Sequence, residues 1–305
     1  MSLADQARAH VAEAEKALKP SWTALKFSPD ILLASMEYTQ AATKFRSANM
    51  LDESIKAWVK AADFKEQLHD PFGAARGYES AAAICEGKSE RAEEGIALWT
   101  KAVHSYRLAG KPDSAAKMNL KLADVHQKKG ETDSAKQAYE DALEIFKEDG
   151  KEHDLRDTYR TYIGFLVTTK QFRAALAAID ENIQLLVKQN SLPFAHKEML
   201  CKVVIYLHMD DAVAAEQALG FASEAVDGWF MSGECQAGMK LVEAFKDYDS
   251  EAVKKLVKDQ VFTFLPVEIA RIAISLKVVE AVRASEGGVT GPGEEAPVSN
   301  AALLM

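Results

Sequence analysis

Tyr38-Thr-Gln-Ala41-Ala42-Thr-Lys-Phe45 opens a pattern that returns about every twenty residues. Its tyrosine is the first rung of a ladder, Tyr38, Trp58, Tyr78, Trp99, Leu120, Tyr139 and Tyr159, with steps of 20, 20, 21, 21, 19 and 20 residues. Three positions after all but the last rung stands an alanine: Ala41, Ala61, Ala81, Ala102, Ala123 and Ala142. Positions i and i+3 share one helix face, so each rung sets a large group beside a small one. The alanine admits a neighbouring helix and the ring fills the space next to it. Asn49, Asp70, Ser89, Gly110, Gly130, Gly150 and Lys170 keep the same beat as segment breaks. Glycine suits such breaks because it takes positive φ without a Cβ clash, and Asp70-Pro71 reads as an N-cap followed by a first-turn proline. Helix plus short turn on this beat makes a helical hairpin of roughly forty residues, repeated. The predicted fold is all-α: a right-handed α-solenoid of antiparallel helical hairpins. Its helices, about sixteen residues and ~24 Å long, exceed those of the tetratricopeptide unit of about 34 residues that it otherwise resembles.

Outward from the ladder, the pattern holds from Ile31 to about Asn190, with stripes such as Trp99, Ala102 and Tyr106 or Tyr139, Ala142 and Phe146. Gly110-Lys-Pro-Asp-Ser-Ala and Gly130-Glu-Thr-Asp-Ser-Ala nearly duplicate each other. Before it lies a helix over residues 2–19, capped by Ser2, striped by Leu3, Ala7, Val11, Ala14 and Leu18, and stopped by Pro20. The loop at 20–29 then carries Trp22, Leu25 and Phe27 between two prolines, flanked by Lys19 and Lys26. Loops usually lie on the surface, so the residues themselves allow two readings: a staple under the first hairpin, or a tip that touches membrane. Burying one large apolar side chain contributes roughly 1.5–3 kcal/mol and a lysine near anionic lipid about 1 kcal/mol, so one such tip binds a bilayer weakly and needs several copies or a second tether.

After Pro193 a helix runs through Leu207, Asp210-Asp211 turns the chain, and another helix starts at Ala212. Gly228, Gly233 and Gly238 then break the period, and helical stretches follow near Val242–Val261 and Val267–Val282. This divides the chain into a solenoid over 1–225, a helical bundle cap over 226–285, and a tail over 286–305 of disordered composition ending in Ala301-Ala302-Leu303-Leu304-Met305.

Composition narrows the function. A net charge of −9 argues against a duplex nucleic acid partner, since phosphate binding wants a basic field. Three scattered cysteines, Cys85, Cys201 and Cys235, without a C-x-x-C pair suit a reduced, cytoplasmic protein. The first residues carry neither a basic n-region nor an apolar h-region, and no apolar run approaches the roughly 20 residues of a spanning helix.

Signals for chemistry fail one by one. Gly87-Lys88-Ser89 resembles the end of a phosphate-binding loop, but Ala82 stands where the first glycine belongs and the segment follows a helix. Glu66-x-x-His69 has the spacing of di-iron ligands but occurs once where two copies are needed. No catalytic residue, cofactor or metal is predicted, and the chain is not expected to be an enzyme. Lys117 with Lys121, and Arg156 with Arg160, are spaced by four on single helices. They are candidates for a concave surface that meets an acidic helical partner, and equally for an ordinary solvated face.

Four features together resemble the soluble NSF attachment proteins, and most of all the gamma type. They are Trp22-Thr-Ala-Leu25-Lys-Phe27-Ser-Pro29-Asp30 after the first helix, the Tyr38-x-x-Ala41-Ala42-x-x-Phe45 hairpin opening, Leu207-His208-Met209-Asp210-Asp211-Ala-Val-Ala214-Ala215-Glu216, and a tail with Leu304 next to last. Their order over nearly the whole chain carries the resemblance. It implies an adaptor that binds the four-helix SNARE bundle, several copies per complex, and recruits the hexameric ATPase N-ethylmaleimide-sensitive factor (NSF). By the same resemblance Trp22, Leu25 and Phe27 contact membrane, Leu304 with Leu303 stimulates the ATPase, and Lys117 stands where the family has a bundle-contacting lysine. The family's later basic position falls near Thr161, with Arg160 adjacent, and the tail lacks the family's acidic run. The implied location is cytoplasmic, peripherally on membranes. The rival readings are a general tetratricopeptide-like scaffold of the cochaperone type, for which no Lys/Asn/Arg clamp can be assembled, and an all-helical enzyme with a metal or lipid pocket.

Overall fold

A computed structural model describes residues 2–19 and 28–278, with the backbone alone for residues 221–225. Eleven helices of 14 to 18 residues follow one another: α1 Leu3–Leu18, α2 Ile31–Ser47, α3 Leu51–Gln67, α4 Pro71–Cys85, α5 Ala92–Leu108, α6 Pro112–Lys129, α7 Thr132–Glu148, α8 Glu152–Thr168, α9 Phe172–Lys188, α10 Leu192–His208 and α11 Ala212–Ala225. Each packs on the next in sequence, which makes a solenoid of helical hairpins. Four helices of 4 to 14 residues follow: α12 Gly233–Lys246, α13 Ser250–Leu256, α14 Gln260–Thr263 and α15 Val267–Ile274. No strand occurs among the described residues.

One turn type recurs along the stack. Asn49, His69, Gly110, Gly150, Lys170, Asn190 and Asp210 all take φ between 53° and 64°. The next residue's N–H then reaches back to a carbonyl of the last turn, as Met50 to Phe45 at 2.9 Å, Lys111 to Tyr106 at 3.0 Å and Gln171 to Leu166 at 2.8 Å. This bond satisfies a carbonyl the helix end leaves open and offsets the left-handed strain at the non-glycine positions, about 1–2 kcal/mol each. At two breaks the structure shifts the expected residue. His69 holds the positive φ, while Asp70 caps α4 by accepting from the Gly73 N–H. Gly87 (φ 78°) turns the chain after α4, and Ser89 only opens a short 3-10 turn, Ser89–Arg91.

The ladder forms the core. Tyr38, Tyr78, Trp99, Tyr139 and Tyr159 are buried, as are all six companion alanines. Trp58 and Leu120 are half-buried, and Trp58 bridges a small cluster of α1–α3 and the main core. The expected glycine breaks after Gly228 hold only in part. Gly228 has φ 73°, but Gly233 and Gly238 lie inside α12. Gly238 is there for close packing: a β-carbon would stand 3.0 Å from Leu219 Cδ2. The expected continuous helix over Val242–Val261 is cut at Tyr248, whose φ is 60°, after which the Asp249 carboxylate caps α13 through the Ala252 N–H at 2.9 Å. Helix α15 folds back onto α8 and α10.

Candidate functional site

The odd- and even-numbered helices present different surfaces. Between consecutive odd helices, rung tyrosines reach out from below and tie charges together. Tyr78 of α4 donates to Asp63 Oδ1 of α3 at 2.6 Å, and Lys101 of α5 lies 4.9 Å from the Tyr78 ring centre and 3.7 Å from the same carboxylate. The arrangement returns at the other end of the stack. Tyr159 of α8 donates to Glu181 Oε2 of α9 at 2.8 Å, and Lys147 of α7 reaches Glu181 at 2.7 Å while lying over the Tyr159 ring at 5.5 Å. Burial pushes the Tyr159 hydroxyl up to about 12, and the Lys147 ammonium holds the Glu181 carboxyl below its ordinary value. The cavity of about 460 Å³ between α7 and α9 therefore has walls whose charges largely answer one another: Lys136 and Lys147 against Glu140 and Glu181, with Glu144 beside them.

The four candidate cations stand on the even helices α6 and α8 and differ in how far they are committed. Lys117 is exposed on α6 and has no ion pair or hydrogen bond among the described residues. Lys121, one turn on, is held by Glu86 at the end of α4, at 2.7 Å. Arg156 on α8 is half-buried, its guanidinium 5.0 Å from the Phe194 ring centre on α10. Arg160 is exposed and, among the described residues, meets only Asp157 on its own helix, at 3.7 Å. The four residues thus divide. Lys117 and Arg160 are open to a partner, Lys121 is partly neutralised, and Arg156 also serves the packing of α8 on α10. Glu86 and Phe194 lie far from them in sequence, so spacing alone gave no sign of either.

Arg160 lines a cleft of about 420 Å³ with Thr161, Gly164, Phe165 and Thr168 of α8, Gln127 of α6, and Pro266, Val267 and Glu268 at the start of α15. The cleft is the point where α6, α8 and the folded-back α15 meet. Nothing in the local pattern of α8 pointed to it, because its second wall comes from a hundred residues later.

The remaining candidates are quickly placed. Glu66 accepts a hydrogen bond from Ser105 at 3.4 Å, and His69 sits in the turn; no cluster of three or more metal-binding side chains occurs among the described residues. Lys88 lies at the rim of a cavity of about 210 Å³ between α4, α5 and α6 whose other cations are paired: Arg91 with Asp52, Lys128 with Asp124, and Lys129 with Glu93 and Glu131. Burial pushes the Cys85 thiol beneath it up to about 11, away from thiolate reactivity. Trp22, Leu25, Phe27, Leu303 and Leu304 lie outside the described residues. No described helix is long and apolar enough to cross a membrane.

Sequence comparison agrees with the fold. The family described as "Soluble NSF attachment protein, SNAP" matches residues 5–264. The gamma-soluble NSF attachment protein of Dictyostelium discoideum is 28% identical over 249 residues, covering 80% of this chain and 75% of that one. Its Arabidopsis thaliana counterpart is 26% identical over 277 residues, covering 87% and 90%. The beta-soluble NSF attachment protein of Bos taurus is 23% identical over 254 residues, covering 82% and 85%. With the match running from α1 through α14, the chain belongs to the soluble NSF attachment protein family.

Proposed function

We propose that this protein is an adaptor of SNARE-complex disassembly in vesicle trafficking, which binds the four-helix SNARE bundle and recruits and stimulates the ATPase NSF. The observation that carries the reading is the family match over residues 5–264, joined by relatives whose names state attachment to that ATPase. The physical form is compatible with the task. A stack of long helices offers an extended surface, and Lys117 on α6, exposed and without an ion pair among the described residues, is available to an acidic bundle. Lys117 and Arg160 are the primary contacts in this reading, with Lys121 and Arg156 supporting. Trp22, Leu25 and Phe27 form the membrane-contacting loop, and Leu303 and Leu304 the ATPase-stimulating tail. Several copies act around one complex, in the cytoplasm and peripherally on membranes, with no catalysis by the chain itself and no cofactor.

The deciding experiment is a pull-down with a recombinant SNARE bundle, followed by addition of NSF with and without ATP. The expected result is retention on the bundle, capture of the ATPase, and release on hydrolysis. Failure to bind any SNARE bundle, with a sound fold, would leave the general helical-repeat scaffold as the better account.

A further inference from the structure

The cleft at the meeting of α6, α8 and α15 holds two charges of opposite sign. Arg160 and Gly164 are four residues apart on α8, hence on one face and about 6 Å apart along the axis. Against Gly164 lies the Glu268 side chain: a β-carbon there would be 3.1 Å from both its Cδ and its Oε2. Glu268 therefore sets a carboxylate about one turn beyond Arg160 along the same wall. It has no ion pair or hydrogen bond among the described residues, and Arg160 meets only Asp157, so neither charge is spent on the other. An exposed apolar group shares the cleft with the carboxylate, Val267 at 55% of full exposure. A partner seated here drives water from both charges and strengthens whatever they meet.

Resting on the proposed reading of Lys117 and Arg160 as bundle contacts, we infer that Glu268, beside Arg160 in the cleft, sets the axial register of the helical bundle bound there. The occupant is an acidic helix that carries one basic side chain about a turn from an acidic one. The acid pairs with Arg160 and the base with Glu268. A uniformly acidic stretch is attracted by Lys117 and Arg160 and repelled at Glu268, so it slides until its basic residue arrives. Like-charge contact against wrong registers gives specificity, and overall affinity is reduced for its sake.

The test uses the full chain, a recombinant SNARE bundle, and a photo-crosslinking residue in place of Thr161. With native Glu268 the crosslink falls on one narrow segment of the bundle that includes a basic residue. Glu268→Gln spreads the crosslink over neighbouring turns and tightens binding to acidic bundles about 3- to 10-fold at low salt, with the gain fading at 0.5 M salt. Replacing the bundle's crosslinked basic residue by Glu weakens binding to the native chain and not to Glu268→Lys. A first-turn acid also suits the dipole of α15, so melting is followed alongside; a purely structural role moves melting and leaves the crosslink fixed, which overturns the inference. Unchanged affinity and register in Glu268→Gln, while Lys117→Glu with Lys121→Glu still weakens binding, overturns it as well and leaves the face intact. If none of these changes alters binding, the face itself is wrongly assigned and the inference falls with it.

Discussion

Asn182 of α9 donates its Nδ2 to Glu198 Oε1 of α10 at 3.1 Å, while the Asn182 amide oxygen Oδ1 and the second carboxyl oxygen, Glu198 Oε2, are buried without a partner among the described protein atoms. Desolvation pushes the Glu198 carboxyl up to about 7, against the Asn182 hydrogen bond that works the other way. Protonation removes the buried charge and gives the carboxyl group a proton to donate.

The pH dependence follows from the sign of that shift. Below about 4.5 the acid is protonated folded or unfolded and costs nothing. As pH rises toward 7 the unfolded chain loses the proton first, so stability falls across this window and levels off above it, a change of the order of 3 kcal/mol. Glu198→Gln keeps the shape, offers an amide donor to Asn182, and is expected to raise the melting temperature at pH 8 while leaving it nearly unchanged at pH 4.5. Melting curves of both proteins across this range check it; parallel curves would refute the assignment.

Gly77 of α4 packs directly against Ala62 of α3. A β-carbon there would stand 2.8 Å from Ala62 Cβ and 3.3 Å from Ala62 Cα on α3. Gly77→Ala gains about 1 kcal/mol of helix propensity but forces the backbones apart, at a cost of about 1–3 kcal/mol, so net destabilisation is expected. At Gly164 the same change meets only the flexible end of Glu268 and is expected to be neutral or stabilising. Urea unfolding of the two variants separates the cases.

Lys117→Glu together with Lys121→Glu is expected to weaken SNARE-bundle binding roughly tenfold or more at low salt, and less at high salt. Lys121→Glu also sets like charge against Glu86, so the single Lys117→Glu variant is the cleaner measure. Equal affinities at low salt would put these residues outside the contact.

Replacing Trp22 and Phe27 by serine is expected to reduce binding to anionic liposomes without lowering the melting temperature. Loss of one to two buried aromatic groups, several kcal/mol, would instead appear as a large drop in melting temperature if the loop is a staple. Flotation and calorimetry on the same preparation decide between the two readings.

Deleting Leu303–Met305 is expected to spare bundle binding and lower the stimulation of NSF hydrolysis. Phosphate release measured beside a bundle pull-down tests this; equal loss of both would remove the tail from its assigned role.

The solenoid was legible because its cause is local and periodic. The spacing of Tyr38, Trp58, Tyr78 and Trp99 with an alanine three residues later encodes which face of each helix is buried, and the burial of these residues follows from that encoding. The expected breaks at Asn49, Gly110, Gly130, Gly150 and Lys170 take positive φ at those residues, and the positive φ falls at His69 and Gly87 in place of the expected Asp70 and Ser89. His69 takes the left-handed position because Asp70 is needed as the cap. The C-terminal helices were read poorly. A glycine inside a helix and a glycine that ends one look alike in sequence, and only the packing of Gly238 against Leu219 tells them apart.

By itself the sequence determined the all-helical repeat, its beat, and its membership of a family, since each depends on spacing along the chain. Tertiary structure alone decided which cations stay free. Glu86 reaches Lys121 and Phe194 reaches Arg156 across intervals of 35 and 38 residues, and α15 brings Glu268 to Gly164 from 104 residues away. Charge is read from composition, but its availability depends on distance through space, and that is fixed only when the stack closes.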